Sequence, residues 1–335
     1  MLQKEICFTW QFHSRSKQAE EHELFHVHWA PPPSGFAKGQ SMHLGLSNGL
    51  YLYIATILFL RDCRWTWPAV LHGLVGHHGI YGCQEYCGLK GRHKPGGPHY
   101  YPALLKPLDY NLPGCDHGDV DVYRLPQASA ELYFKNLHQL VPCVMDAEFK
   151  LVCKETGLCK PSLLVGLDPR RSSGLPGCLA INHMHIIAIN LPDLLMGLWR
   201  GTLDCDKKDS KELWDWVSLI GDTWKSHGQD VACSCPYLPR SFDCPPRNPA
   251  EKISSGYKAW EFLIYLFGYC PALLYAILPR RYWQNFCKLV SAVHLLQQRS
   301  ITASQIKSAY LLVVTFIEEF EAIYYRQMTT QLHFC

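Results

Sequence analysis

The chain lacks the marks of several common classes. It has no apolar signal core: Met1-Leu2-Gln3-Lys4-Glu5-Ile6-Cys7 runs into polar, charged sequence, so a secretory leader is not expected. No apolar run reaches the ~20 residues that a spanning helix needs. Leu50 to Leu60 is too short, and Phe262 to Leu278 is interrupted by Gly268 and Pro271, so that Cys270-Pro271 reads as a turn between two buried helices. Charge is scarce: 18% of residues are charged and the net charge is +3, so binding to a polyanion has to come from a local patch. Neither a Gly-x-Ser-x-Gly elbow, a Walker loop nor a dinucleotide fingerprint occurs, which leaves triad hydrolases and nucleotide-dependent enzymes without support. Internal repeats are absent as well.

What is present is a chain of 335 residues, 48% hydrophobic, enough for one large or two ordinary domains. Its sixteen cysteines, without a secretory context, are expected to be reduced, most of them buried as small hydrophobes and a minority on metal. Residues 1–48 read as a poorly organised arm, with Pro31-Pro32-Pro33 forbidding regular structure. Residues 49–235 read as a core carrying a His/Cys-rich loop at 76–121. Residues 236–335 read as a helical region, the boundary falling in the proline-rich stretch Cys233 to Pro249.

Local patterns give the elements. Leu50 to Leu60 is a continuous apolar, β-branched and aromatic run, suited to a strand buried on both faces, with Asp62 just beyond it. Ser129 opens a helical pattern, and a second helix over Asp146 to Glu155 stops at Gly157. A third starts at Asn190-Leu191-Pro192 and ends near Gly201, and Trp214, Trp216 and Trp224 are spaced for a helix face. Thr302 to Gln305 fits a capping box, followed by an apolar stripe of Ile306, Tyr310, Val313, Ile317, Phe320 and Tyr324.

The chemistry concentrates in Gly76 to Tyr101, which combines His77, His78, His93 and His99 with Cys83, Cys87 and seven glycines. Thiolate and imidazole are the ligands zinc prefers, and Cys83 and Cys87 are spaced to share one ion. Two further ligands would come from His77, His93, His99, Cys115 and His117, and Cys115-x-His117 would pin the far end of the loop to its start. Lys90, Arg92 and Lys94 form a basic run with no acid between 86 and 108, and Tyr100-Tyr101 could stack on bases. These are the residue types of phosphate and single-strand contact. The alternatives are a solvated charged loop and two buried cysteines.

Several long blocks resemble the transposases of CACTA-type (En/Spm-like) DNA transposons. They are Gly73-Leu-Val-Gly-His-His-Gly79, the run from Gly91-Arg-His-Lys-Pro-Gly-Gly-Pro-His-Tyr-Tyr to Lys106-Pro107, Gly114-Cys-Asp-His-Gly-Asp-Val-Asp121, Leu191 to Asp206 and Pro245 to Phe262. The likeness extends over roughly 50–335. It implies an α/β or α+β fold, a partial ribonuclease-H-like core with a His/Cys-rich insertion and a mainly helical C-terminal half. It also implies a nuclear protein acting on transposon-end DNA as a homo-oligomer, and an Asp-Asp-Glu set holding two magnesium ions for DNA cleavage and strand transfer. Residue by residue, the carry-over is incomplete. The first family aspartate lies upstream of the matched blocks. Asp62 is the nearest acid to the second, but Cys63-Arg64-Trp65-Thr66-Trp67 replaces the expected small turn. The family Asp-x-x-His falls on Asn182-His183-Met184-His185, so His185 matches and the carboxylate is an amide. The family glutamate lies past Phe334-Cys335. The expectation is a truncated transposase copy without cleavage activity, or a zinc-stapled DNA- or protein-binding module derived from one.

Overall fold

The computed structural model describes residues 72–324, less 84, 94–97, 107–117, 167–171, 179–183, 185, 204–210, 240–241 and 243. Of the first 71 residues it describes the strands β1 (Phe25–His26), β2 (His43–Gly45) and β3 (Tyr51–Tyr53) alone. Most of the Leu50 to Leu60 run, Asp62, Cys115, His117, Asn182, His185 and Lys94 therefore lie outside the described residues.

The fold is mixed α/β but mostly helical. Its strands form three antiparallel pairs, β1 with β6 (Ser300–Ile301), β2 with β3, and β4 (Arg92–His93) with β5 (Tyr100–Tyr101). Among the described residues no parallel sheet of the ribonuclease-H kind is present.

Two helices form a platform. α1 (Ala130–Leu140) starts where Ser129 accepts the Leu132 N–H, and α2 (Asp146–Thr156) ends at Gly157, whose φ of 76° is the left-handed cap expected there. Tyr133, Leu137 and Leu140 of α1 close a small core with Leu74, Tyr86, Leu158 and Leu175. The chain ahead of the His/Cys loop docks beside the α2 terminus through Val75 N–H to Gly157 O (2.8 Å) and Cys159 N–H to Gly73 O (2.7 Å). A side chain at Gly73 would meet Lys160 O at 2.0 Å, so the two segments approach as closely as backbone allows.

The larger body begins with a π-helical turn, Ile186–Asn190, running into α3 (Leu191–Trp199), with Pro192 in its first turn and Gly201 turning the chain at φ 63°. α4 (Gly221–Ser234) follows, then the short α5 (Pro249–Lys252), capped by Asn248. α6 (Ala259–Phe262) continues through a π-helical stretch, Leu263–Tyr269, into α7 (Cys270–Leu273). The Cys270-Pro271 turn is therefore replaced by continuous helix, in which Pro271 occupies the first turn of α7, where its missing N–H is no loss. α8 (Arg280–Leu296) and α9 (Ala303–Ile323) pack on each other, tied by Asn285 Nδ2–H to Phe316 O and by Lys288 to Glu319. The capping box is complete: Thr302 Oγ1 accepts the Gln305 N–H and Gln305 Oε1 accepts the Thr302 N–H.

One core joins these parts. It holds Trp199, Trp216, Tyr265, Tyr282, Phe286, Phe320 and Tyr324, and takes in Tyr101 and Ala103 from the loop. Each such aromatic contributes roughly 2–3 kcal/mol by burial. Because Trp224 and Val231 share this core with Tyr257 and Tyr265, the boundary expected near 235 does not divide the packing. The three tryptophans are buried, but not as one helix face: Trp214 and Trp216 lie on the irregular segment before α4, ring centroids 5.2 Å apart, and only Trp224 is on the helix. No helix among the described residues is long and apolar enough to cross a membrane.

Candidate functional site: a thiol pair in a loop held by two helices

The loop folds back on itself through backbone bonds. Gly91 N–H reaches Ile80 O at 2.6 Å and Tyr100 N–H reaches His78 O at 2.9 Å, which lays the β4–β5 hairpin across the histidine turn. The imidazoles stack: His77 and His78 centroids are 3.9 Å apart, and His78 and His99 are 4.5 Å apart. His77 is kept neutral by burial first and by its neighbour His99 second, both lowering its pKa. His93 is half-buried and meets Tyr100 edge-on at 4.8 Å.

Cys83 and Cys87 come together. The Cys87 thiol donates to the Cys83 sulfur, and this bond holds Cys83 down at about 6 against the opposing effect of its own burial. Cys87 is pushed upward by the same contact and by burial. The shared proton thus favours the thiolate on Cys83, and the thiolate is the form that binds metal. The pairing depends on a turn closed by Tyr86 N–H to Cys83 O (3.1 Å), in which Tyr86 has a φ of 56°. Among the described residues it is the only non-glycine with positive φ, a conformation costing roughly 1–2 kcal/mol. Its side chain is anchored in the platform: the ring packs on Tyr133, the hydroxyl donates to Thr156 O (2.9 Å), and Asn136 Nδ2–H donates to the hydroxyl (2.6 Å). A cleft of about 20 Å³, lined by His77, Cys83, Leu89, Gly91 and Pro102, opens beside Cys83. That is room for one water-sized guest.

The basic residues part company. Lys90 is exposed, as phosphate contact requires. Arg92 is fully buried, so the expectation of an Arg92–DNA contact is corrected: its Nη2 donates to Leu104 O (2.8 Å) and to Gly118 O (3.4 Å) and lies 3.8 Å from Asp119. A guanidinium supplies donors in a rigid fork, which is why this charge ties chain segments together inside the protein. Tyr101 is likewise buried and cannot stack on a base. Arg92 and Asp119 bring the two flanks of 107–117 together, since Lys106 N–H reaches Asp119 Oδ1 (2.6 Å) and Val120 N–H reaches Leu104 O (3.0 Å).

The donor set fits zinc in part. Cys83 and Cys87 form a thiol pair, but among the described residues no group of three or more His, Cys, Asp or Glu is gathered closely enough to hold an ion. A closed site needs donors from outside the described residues. For magnesium no carboxylate cluster is present among the described residues. The sequence signalled the thiol pair and the exposed Lys90. It did not signal Tyr86, whose role comes from distant partners and leaves no local pattern. No family model, no curated protein and no solved structure matches the chain.

Proposed function

We propose that this chain is derived from a DNA transposase and binds DNA through a zinc-stapled loop, without itself carrying out cleavage or strand transfer. The observation that carries the reading is the meeting of Cys83 and Cys87 beside the His77 cleft, in a loop whose flanks are drawn together by Arg92. Cys83 and Cys87 would hold zinc, with Cys115 and His117 as the closing ligands and His93 or His77 as the competing choices. Zinc bound by four such side chains is structural: it fixes the loop and leaves no open position for substrate. Lys90, exposed beside the thiol turn, and Lys94 would then meet phosphate. The likeness to CACTA-type transposases supplies the nuclear location, the transposon-end DNA and the partial ribonuclease-H-like core assigned to 49–235.

Inactivity follows from charge. Two magnesium ions need several carboxylates, and Asn182 offers a neutral amide where the family motif has an aspartate, leaving Asp62 without a partner of that motif.

Metal analysis of protein purified under reducing conditions tests the first part: about one equivalent of zinc is expected, lost in Cys83→Ser/Cys87→Ser. Protein that is folded and zinc-free would sink it. Anisotropy titrations with transposon-end duplexes test the second, and a lack of binding at low salt would remove DNA as the partner. Magnesium-dependent nicking that vanishes in Asp62→Asn would overturn the inactivity.

A further inference from the structure

Spacing alone does not bring Cys87 back onto Cys83. The turn between them runs through a left-handed Tyr86, and that conformation is one a tyrosine avoids unless its side chain is held. Both ends of the hold are in the platform. Asn136 of α1 donates to the hydroxyl, and the hydroxyl donates to Thr156 O, one of the last carbonyls of α2, which helix geometry leaves without an intrahelical partner. The contact is not isolated, because Tyr81 of the same loop lies against Gly157, the cap of that helix. Tyr86 itself is buried, so none of this anchoring is available to a ligand. We infer that Tyr86 is a positioning residue for the Cys83–Cys87 pair, and that α1 and α2 serve as the platform that sets the pair before any metal arrives; this rests on the metal-binding reading above. In metal sites generally, groups that orient the ligands matter to affinity without touching the ion.

Two readouts on the full chain test the idea. One is zinc affinity, by competition with a chromophoric chelator. The other is the equilibrium of the metal-free protein with glutathione, in which Cys83 and Cys87 thiols plus oxidised glutathione give the Cys83–Cys87 disulfide plus two reduced glutathiones, quantified by peptide mapping. Tyr86→Phe removes only the hydroxyl, and Tyr86→Gly keeps the left-handed turn while removing the anchor. Both are expected to weaken zinc binding by about tenfold and to lower the disulfide equilibrium constant by a similar factor. Tyr133→Phe is the control. It takes an equally buried hydroxyl, the acceptor of the Ser162 N–H, from the neighbouring ring, and it is expected to leave both quantities within about twofold. Equal shifts in Tyr86→Phe and Tyr133→Phe, or no shift in either, would overturn the positioning role. If no variant binds zinc while the glutathione equilibrium still separates Tyr86→Phe from Tyr133→Phe, the metal reading falls and Tyr86 remains the residue that sets the dithiol.

Discussion

Glu321, in the last turn of α9, accepts the backbone N–H of Leu104 with both carboxylate oxygens at 2.9 Å, and that of Leu105 at 2.6 Å. A carboxylate is the wrong charge for a helix C-terminus. It is kept there because two loop amides need an acceptor inside the protein, and the Arg92 charge nearby favours it. The loop is thus fastened at both ends, by Tyr86 to α2 and by Glu321 to α9.

Glu321→Gln should destabilise the fold by about 1–3 kcal/mol, because the amide can offer one acceptor where two were used. Burial raises the Glu321 pKa, with the amide bonds opposing. A carboxyl raised on folding contributes stability that is fully present below its ordinary pKa and lost as pH rises through the folded value. Urea midpoints measured across the acid range should show that slope in the parent and not in the variant.

His227 should govern a second, opposite limb. It is buried against Trp224, bonded through Nε2 to the Tyr265 hydroxyl at 2.8 Å, and burial lowers its pKa to about 4. Asp230 acts the other way, weakly. A histidine depressed on folding contributes stability above its ordinary pKa of ~6.5 that is lost as pH falls toward 4, on the order of 3 kcal/mol in all. His227→Gln should flatten the dependence between those pH values, and an unchanged slope would assign it to other groups.

Arg92 and Lys90 are two residues apart and should behave unlike each other. Arg92→Ala strips a buried guanidinium that donates to two carbonyls and lies 3.8 Å from the half-exposed Asp119, and a loss of roughly 1–3 kcal/mol is expected in chemical denaturation. Lys90→Ala should leave stability within about 0.5 kcal/mol. If the loop meets DNA as proposed, Lys90→Ala lowers the salt dependence of binding by about one phosphate contact.

Trp199 Nε1–H donates to the Tyr324 hydroxyl at 2.9 Å, and both rings are buried. Tyr324→Phe therefore orphans an indole N–H and should cost about 1–3 kcal/mol. Adding Trp199→Phe removes the orphan, so the double variant should be less destabilised than the sum of the two single ones. Additive costs in the cycle would mean that the bond contributes nothing.

What could be read from the sequence was local. The cap at Ser129, the stop at Gly157 and the box at Thr302 all appear where the sequence places them, because each is decided within four residues. The face of α9 was not decided locally. Tyr310 was expected in the core, yet it is 55% exposed while its neighbour Ala309 is buried. From Ala309 to Ile317 that helix is apolar nearly all round, so periodicity cannot choose a face. The choice is made by what packs there, with Val314 turned to Leu104 and Val122 and Phe316 to the main core. Arg92 failed for a related reason: a charge reads as exposed until distant carbonyls close over it. The strained Tyr86 had no signal at all, since a glycine would have announced the turn and a tyrosine conceals it.

The helix from Ala259 to Leu273 has one residue to spare. Its π-helical stretch, Leu263–Tyr269, is an α-helix with an extra residue looped into its wall. Deleting one residue there would restore ordinary α spacing and leave the turns on either side in phase, whereas the same deletion in the α-helical turn before it would rotate everything after it by ~100°. Cys270 and Leu274, both fully buried, would then face away from the core they fill. A one-residue deletion is therefore better tolerated within Leu263–Tyr269 than in the α-helical turns that flank it.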